Sequence, residues 1–221
     1  MGATDEPPGR SLRTPRAAGA AGILSALLLG TVVVLVHSAI PEHPIDAGAW
    51  LADGSSRGSL NVALQLVPFA GIFFLWFMGA VRDYVGPAED TFFATLFFGS
   101  GVLYLAVIFV LAAAIGGLLA LAGSTSSSQL QMWEYGRHLT LVLLSSYSTR
   151  IAAVFVLSAT TLCRQLGVFP RWLVWAGYAV ALVLLFVVST DAWFALVFPL
   201  WMLAVSVRVL RVALRSRTRP E

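Results

Sequence analysis

Charge is what this chain of 221 residues has least of: only 11% are Asp, Glu, Lys or Arg, lysine is absent, and all fourteen basic residues are arginine. With 58% of residues hydrophobic and a mean hydropathy of +0.85, there is too little polar surface to coat a water-soluble domain. A single cysteine, Cys163, excludes an internal disulfide, a cysteine-based metal site and dithiol redox chemistry. The three histidines, His37, His43 and His138, fall near the ends of apolar runs or in a loop. Paired haem ligation and an intramembrane Ser-His dyad therefore lack an imidazole where they need one. There is no H-E-x-x-H segment and no pair of acids inside an apolar run, as the intramembrane proteases would require. The sequence implies no catalytic residue, no metal site and no cofactor. The basic pI of about 9.5 does not imply nucleic acid as a partner either, because the arginines flank apolar runs and act as topology signals.

What the chain does have is long apolar runs. Spanning about 30 Å of hydrocarbon takes roughly 20 helical residues, and six such stretches are readable, at about 17–36, 60–81, 92–121, 138–162, 172–188 and 192–209. The last two are joined by a tight turn at Ser189, Thr190 and Asp191. The expected fold is all-α, an integral membrane bundle of six transmembrane helices over 17–209. A disordered cytoplasmic tail over 1–16, with Pro7, Pro8 and Gly9, precedes it, and a basic cytoplasmic tail over 210–221 follows. The first span reads as a retained signal anchor, its apolar run being longer than a cleaved signal's and followed by no A-x-A site.

Arginine is retained on the cytoplasmic side of membranes. Arg10, Arg13, Arg16, Arg82, Arg164, Arg171, Arg208, Arg211, Arg215, Arg217 and Arg219 fall on one side, against Arg57 and Arg137 on the other. Both termini are thus expected in the cytoplasm of a multi-pass protein of the cell membrane. The external segments Ser38 to Ser59 and Gly123 to Arg137 are polar, with Trp50, Trp133 and Tyr135 expected at headgroup level.

In lipid, helices meet through small residues and a few polar contacts. Ala18, Gly22, Ala26 and Gly30 form a small stripe on the first span, and Ala112, Gly116 and Ala120 another on the third. Both are expected as packing faces, with a homodimer contact as the alternative use. Gly99-Ser100-Gly101 reads as close packing. Pro68 and Pro199 each remove an internal hydrogen bond, freeing the carbonyls of Leu64 and Ala195, and are expected to kink their helices.

The fourth span holds the most unusual segment, six consecutive polar residues from Ser145 to Arg150. Arg150 lies about twelve residues from either end of that span, near the bilayer midplane. A central arginine costs about 2.5 to 3.5 kcal/mol to insert and cannot shed its proton. About 15 to 18 Å of helix on either side puts the interfaces beyond its reach. No acid lies at that depth, so neutral acceptors are expected around it: Tyr147, Tyr104, Gln65 and the freed carbonyl of Leu64. Such a cluster keeps a net positive charge, which invites an aqueous cavity or an anion, such as a carboxylate, a phosphate or a lipid headgroup. The bland alternative is a structural arginine capped by carbonyls and hydroxyls.

Gly79 to Gly86 follows G-x-x-x-D-x-x-G between the second and third spans, and resembles the cytoplasmic signature of major facilitator transporters. The basic residues that follow the second glycine in that family are replaced by Pro87, Ala88, Glu89 and Asp90, and six spans are half that fold. In composition, and over Arg82 to Gly101, the chain resembles the small, uncharacterised polytopic membrane proteins of actinobacteria, a resemblance that implies no activity. The all-arginine, Ala- and Gly-rich composition reads as that of a GC-rich bacterial genome. The expected partners are the lipid bilayer and a small anionic or amphiphilic molecule bound or moved near Arg150. A second copy or a partner membrane protein is the alternative, with the chain as a non-catalytic scaffold or regulatory subunit.

Overall fold

The computed structural model describes residues 14–40, 53–85, 91–121, 126–165, 167, 169–187 and 192–215. These residues form α1 (Thr14–Ala39), α2 (Gly54–Val85) and α3 (Thr91–Ala120). A continuous rod follows, made of α4 (Ser127–Val142), a π-helical turn (Leu143–Tyr147) and α5 (Ser148–Gln165). Next come α6 (Arg171–Phe186), a 3-10 turn (Ala192–Leu196) and α7 (Val197–Arg215). The fold is an all-α bundle with no strand among the described residues. Five of its helical units are long and apolar enough to cross a membrane, whereas α6 has 16 residues, about 24 Å, and is shorter than a hydrocarbon core. The protein is a multi-pass membrane protein.

Several helices outrun their apolar cores because their polar ends are capped. Asp53 caps α2: its carboxylate accepts the amides of Ser55 at 3.0 Å and Ser56 at 3.2 Å, and both hydroxyls. The hydrogen bonds of Ser56 and Ser55 hold its carboxyl down at about 2. The helix consequently begins inside the segment read as an external loop. Likewise α4 begins at Ser127, eleven residues ahead of the expected span, because Ser126 and Gln129 close a capping box. This amphipathic extension is tied by Glu134, which accepts Arg137 at 2.5 and 3.2 Å and His138 at 3.1 Å. Trp133, expected at headgroup level, is fully buried with Arg137 over its ring, whereas Tyr135 is exposed. α1 starts at Thr14, within the expected tail, and α7 runs on to Arg215. The rest of the N-terminal tail, Trp50 and the turn at Ser189 to Asp191 lie outside the described residues, as do Gly86 to Asp90.

Packing separates the two small stripes. α1 lies along α2 and α7. A Cβ on Gly22 would sit 2.1 Å from the Ser206 hydroxyl oxygen and 2.7 Å from the Phe77 ring, and one on Gly19 would sit 2.8 Å from Leu210. The Ser25 hydroxyl donates across to the carbonyl of Ala70 at 3.1 Å. This stripe is an intramolecular packing face. The α3 stripe is not a close seam: Ala112 and Gly116 are only half-buried, Ala120 is exposed, and a Cβ on Gly116 would meet nothing within 4 Å. Pro199 falls in the first turn of α7, where a missing amide costs little, so it marks the change from 3-10 to α-helix rather than an interior kink. α2 continues as one helix through Pro68.

The core gathers where α2, α3, α5 and α7 meet. Phe74, Tyr104, Phe155 and Phe198 are all buried, with ring centroids 4.7 to 6.2 Å apart, and Phe97 stacks on Phe155 at 4.8 Å. At the α5–α6 turn, Gly167 adopts φ +66° and returns its amide to the carbonyl of Arg164, the left-handed cap that glycine makes at least cost.

Candidate functional site

The polar run of the fourth span explains its own backbone. In the π turn the amide of Ser148 reaches back five residues to the carbonyl of Leu143, so the turn is wider than an α turn and its carbonyls lose their usual alignment. Side chains fill in: Ser145 donates to the carbonyl of Leu141 at 2.8 Å, Ser148 to Leu144 at 2.5 Å, and Thr149 to Ser145 at 2.6 Å and Ser146 at 3.1 Å. Three of the six polar residues, Ser145, Ser148 and Thr149, therefore spend their hydroxyls on carbonyls of the helix that carries them.

Arg150 is different. Its side chain is exposed on the outside of the bundle, and its one hydrogen bond among the described residues runs from Nη1 to the Ser146 carbonyl at 3.1 Å. A guanidinium has five N–H donors, so most of its capacity is unspent within the described structure. It lies thirteen residues after Arg137 and fourteen before Arg164, about 20 Å of helix from each.

The expected polar cluster around Arg150 does not assemble. Tyr104 is buried in the aromatic core against Phe74 and Phe198. Gln65 is exposed on α2, and Tyr147, one turn from Arg150, is 57% exposed. The reason is helical phase: on α5, Phe155 and Val156 face the core while Arg150, five and six residues earlier, faces outward.

Arg150 instead borders a groove of about 520 Å³ between α3 and α5, lined by Phe92, Thr95, Leu96, Gly99, Ser100, Leu103, Arg150, Ile151, Val154 and Leu185. Its size suits a ligand of drug or lipid-chain dimensions. The Ser100 hydroxyl is already given to the carbonyls of Leu96 and Phe97, at 2.6 and 3.2 Å, and Arg150 is the one charged side chain of a mainly apolar wall whose other polar residue is Thr95. Gly101 packs closely, a Cβ there meeting Met78 at 2.1 Å, whereas one on Gly99 would meet nothing within 4 Å and so opens the groove. Leu185, next to the last residue of α6, brings a helix C-terminus to the same groove. Its partial negative charge of about half a unit offsets only part of a full positive charge. The sequence signal for the groove was present in the small residue Gly99 on an outward face of α3. What was not legible was that α3, α5 and the end of α6 border one groove there.

Among the described residues there is no group of three or more His, Cys, Asp or Glu placed to hold a metal. No family model, curated protein or solved structure matches the chain.

Proposed function

We propose that the protein binds an anionic amphiphile, a molecule with a carboxylate or phosphate head and an apolar tail, in the groove between α3 and α5, with Arg150 as the head-binding residue. The observation that carries this reading is the pairing of one outward, mid-depth arginine with an apolar groove on the bundle's flank. A soluble small anion would need a polar, wet path to Arg150. An apolar lateral groove suits a ligand already dissolved in the membrane, its tail against Leu96, Leu103 and Val154 and its head on the guanidinium. Binding would relieve the cost of an unneutralised mid-membrane arginine.

The membrane is read as a bacterial cell membrane with both termini in the cytoplasm, a topology that takes the short α6 as a sixth crossing and is supported by eleven arginines on that side against two on the other. The scaffold reading rests on the same outward position, since a partner helix bearing an acid would also neutralise Arg150. Native mass spectrometry of the full chain, released from nanodiscs of phosphatidylcholine doped with palmitate or phosphatidate, separates them. Selective retention of either anion, lost in Arg150→Gln, supports the amphiphile reading and tells carboxylate from phosphate. Equal retention by both proteins removes it in favour of the scaffold.

A further inference from the structure

The Arg150 groove does not end at the arginine. A second cavity of about 380 Å³, bordered by Arg82, Phe98 and Leu162, shares Thr95 and Gly99 with the first. Both shared residues are exposed, and the free space around Gly99 makes the outer face of α3 a furrow rather than a ridge. Arg82, in the last turn of α2, is exposed and holds its guanidinium carbon 5.6 Å from the Phe98 ring centroid. Leu162 of this second cavity lies twelve residues beyond Arg150 on α5, about 18 Å of helix. Two arginines thus stand at two depths, one at the end of the membrane span and one in its middle, joined across a floor of small side chains.

We infer that Arg82 is a loading station: it captures the head of the amphiphile at the membrane surface, and the head then passes over Thr95 and Gly99 to Arg150. The inference rests on the Arg150 reading and adds the route. An isolated carboxylate or phosphate cannot enter hydrocarbon without compensation, and each arginine supplies charge-assisted donors at its own level. Because the furrow is open to the side, the tail never leaves the apolar phase while the head moves. The leaflet loaded is the one on the Arg82, Arg164 and Arg171 side.

The test uses the full chain in phosphatidylcholine nanodiscs, given palmitate or phosphatidate carrying a diazirine in the chain near the head, with irradiation at timed intervals and mapping of adducts by peptide mass spectrometry. In the wild type, adducts appear first around Phe98 and later around Ile151 to Val154, with at least one of the two probes. Arg82→Gln slows the deep adducts about tenfold without lowering their final level, and Arg82→Lys restores most of the rate. Gly99→Leu, whose Cβ would meet nothing within 4 Å, keeps the Phe98 adducts and loses the deep ones. Deep labelling at the wild-type rate in both Arg82→Gln and Gly99→Leu overturns the route but leaves the Arg150 site standing. Deep labelling undiminished in Arg150→Gln overturns the site itself. A diazirine phosphatidylcholine that labels in the same order shows a route indifferent to charge, and overturns the role of Arg82.

Discussion

The seam between α1 and α7 and the outer face of α3 are both rich in small residues, yet they do opposite things. At the seam, Gly19 and Gly22 let backbones approach until a single added carbon would clash with Leu210, Ser206 and Phe77. On α3, Gly99, Gly116 and Gly117 would each take a Cβ without meeting anything within 4 Å. One surface is closed by its glycines and the other is opened by them. A small-residue stripe in a membrane helix is thus an opportunity for contact, and the opposing helix decides whether it is used.

The largest effect should come from closing that distinction at the seam. Gly22→Leu is expected to leave no monodisperse folded protein in detergent. Gly22→Ala is expected to cost about 1 to 3 kcal/mol, read from thermal unfolding followed by size-exclusion chromatography. Melting of Gly22→Ala at the wild-type temperature would show that the seam is looser than the distances imply.

Next in size is Arg150→Leu. Removing a mid-membrane charge should make insertion of its span more favourable by about 2.5 to 3.5 kcal/mol, measured in a translocon insertion assay, while abolishing selective retention of anionic amphiphiles. Reduced folded yield with unchanged retention would mark Arg150 as structural.

Gly167→Ala should cost about 1 to 2 kcal/mol, because an L side chain is strained at φ +66°; an unchanged melting temperature would show that the α5–α6 turn relaxes to another cap. Gly99→Leu, the mirror image of the Gly22 change, should stay within about 0.5 kcal/mol of the wild type while removing ligand from the Arg150 groove. A large loss of stability there would mean that the furrow is filled by a packed element.

The smallest expected effect is the acid response of the α2 cap. The Asp53 carboxyl titrates at about 2, below its ordinary 3.8, so its contribution is complete above the ordinary value and is lost as pH falls through about 2. Asp53→Asn should flatten whatever part of the melting temperature's decline between pH 4 and pH 2 belongs to this cap. A wild-type profile as flat as the variant's would show that the cap adds nothing to the bundle.

Much of the fold was legible in advance because membrane insertion is decided by local hydropathy: the apolar core of each helix coincides with a readable run. The helix ends were less legible. Their signals were in the chain, Asp53 before two serines and Ser126 three residues ahead of Gln129, but capping extends a helix into polar sequence that hydropathy assigns to loops. The site was half legible. That Arg150 lies about 20 Å of helix from both Arg137 and Arg164 follows from counting residues. Its neighbours did not follow, because matching depth does not establish matching face.

By itself, then, the sequence determined that the chain enters a bilayer as helices, roughly where each helix begins its apolar core, and that one arginine lies within an apolar run that holds no acid. Those are properties of single segments, governed by the transfer of side chains from water to lipid and by 1.5 Å of rise per residue. The tertiary structure alone decided that Tyr104 belongs to an aromatic core, that the α1 stripe is spent inside the molecule, and that Arg150 looks outward into an apolar groove. Those depend on which face of each helix meets its neighbours, and on which helices lie close enough to fill the space beside a glycine.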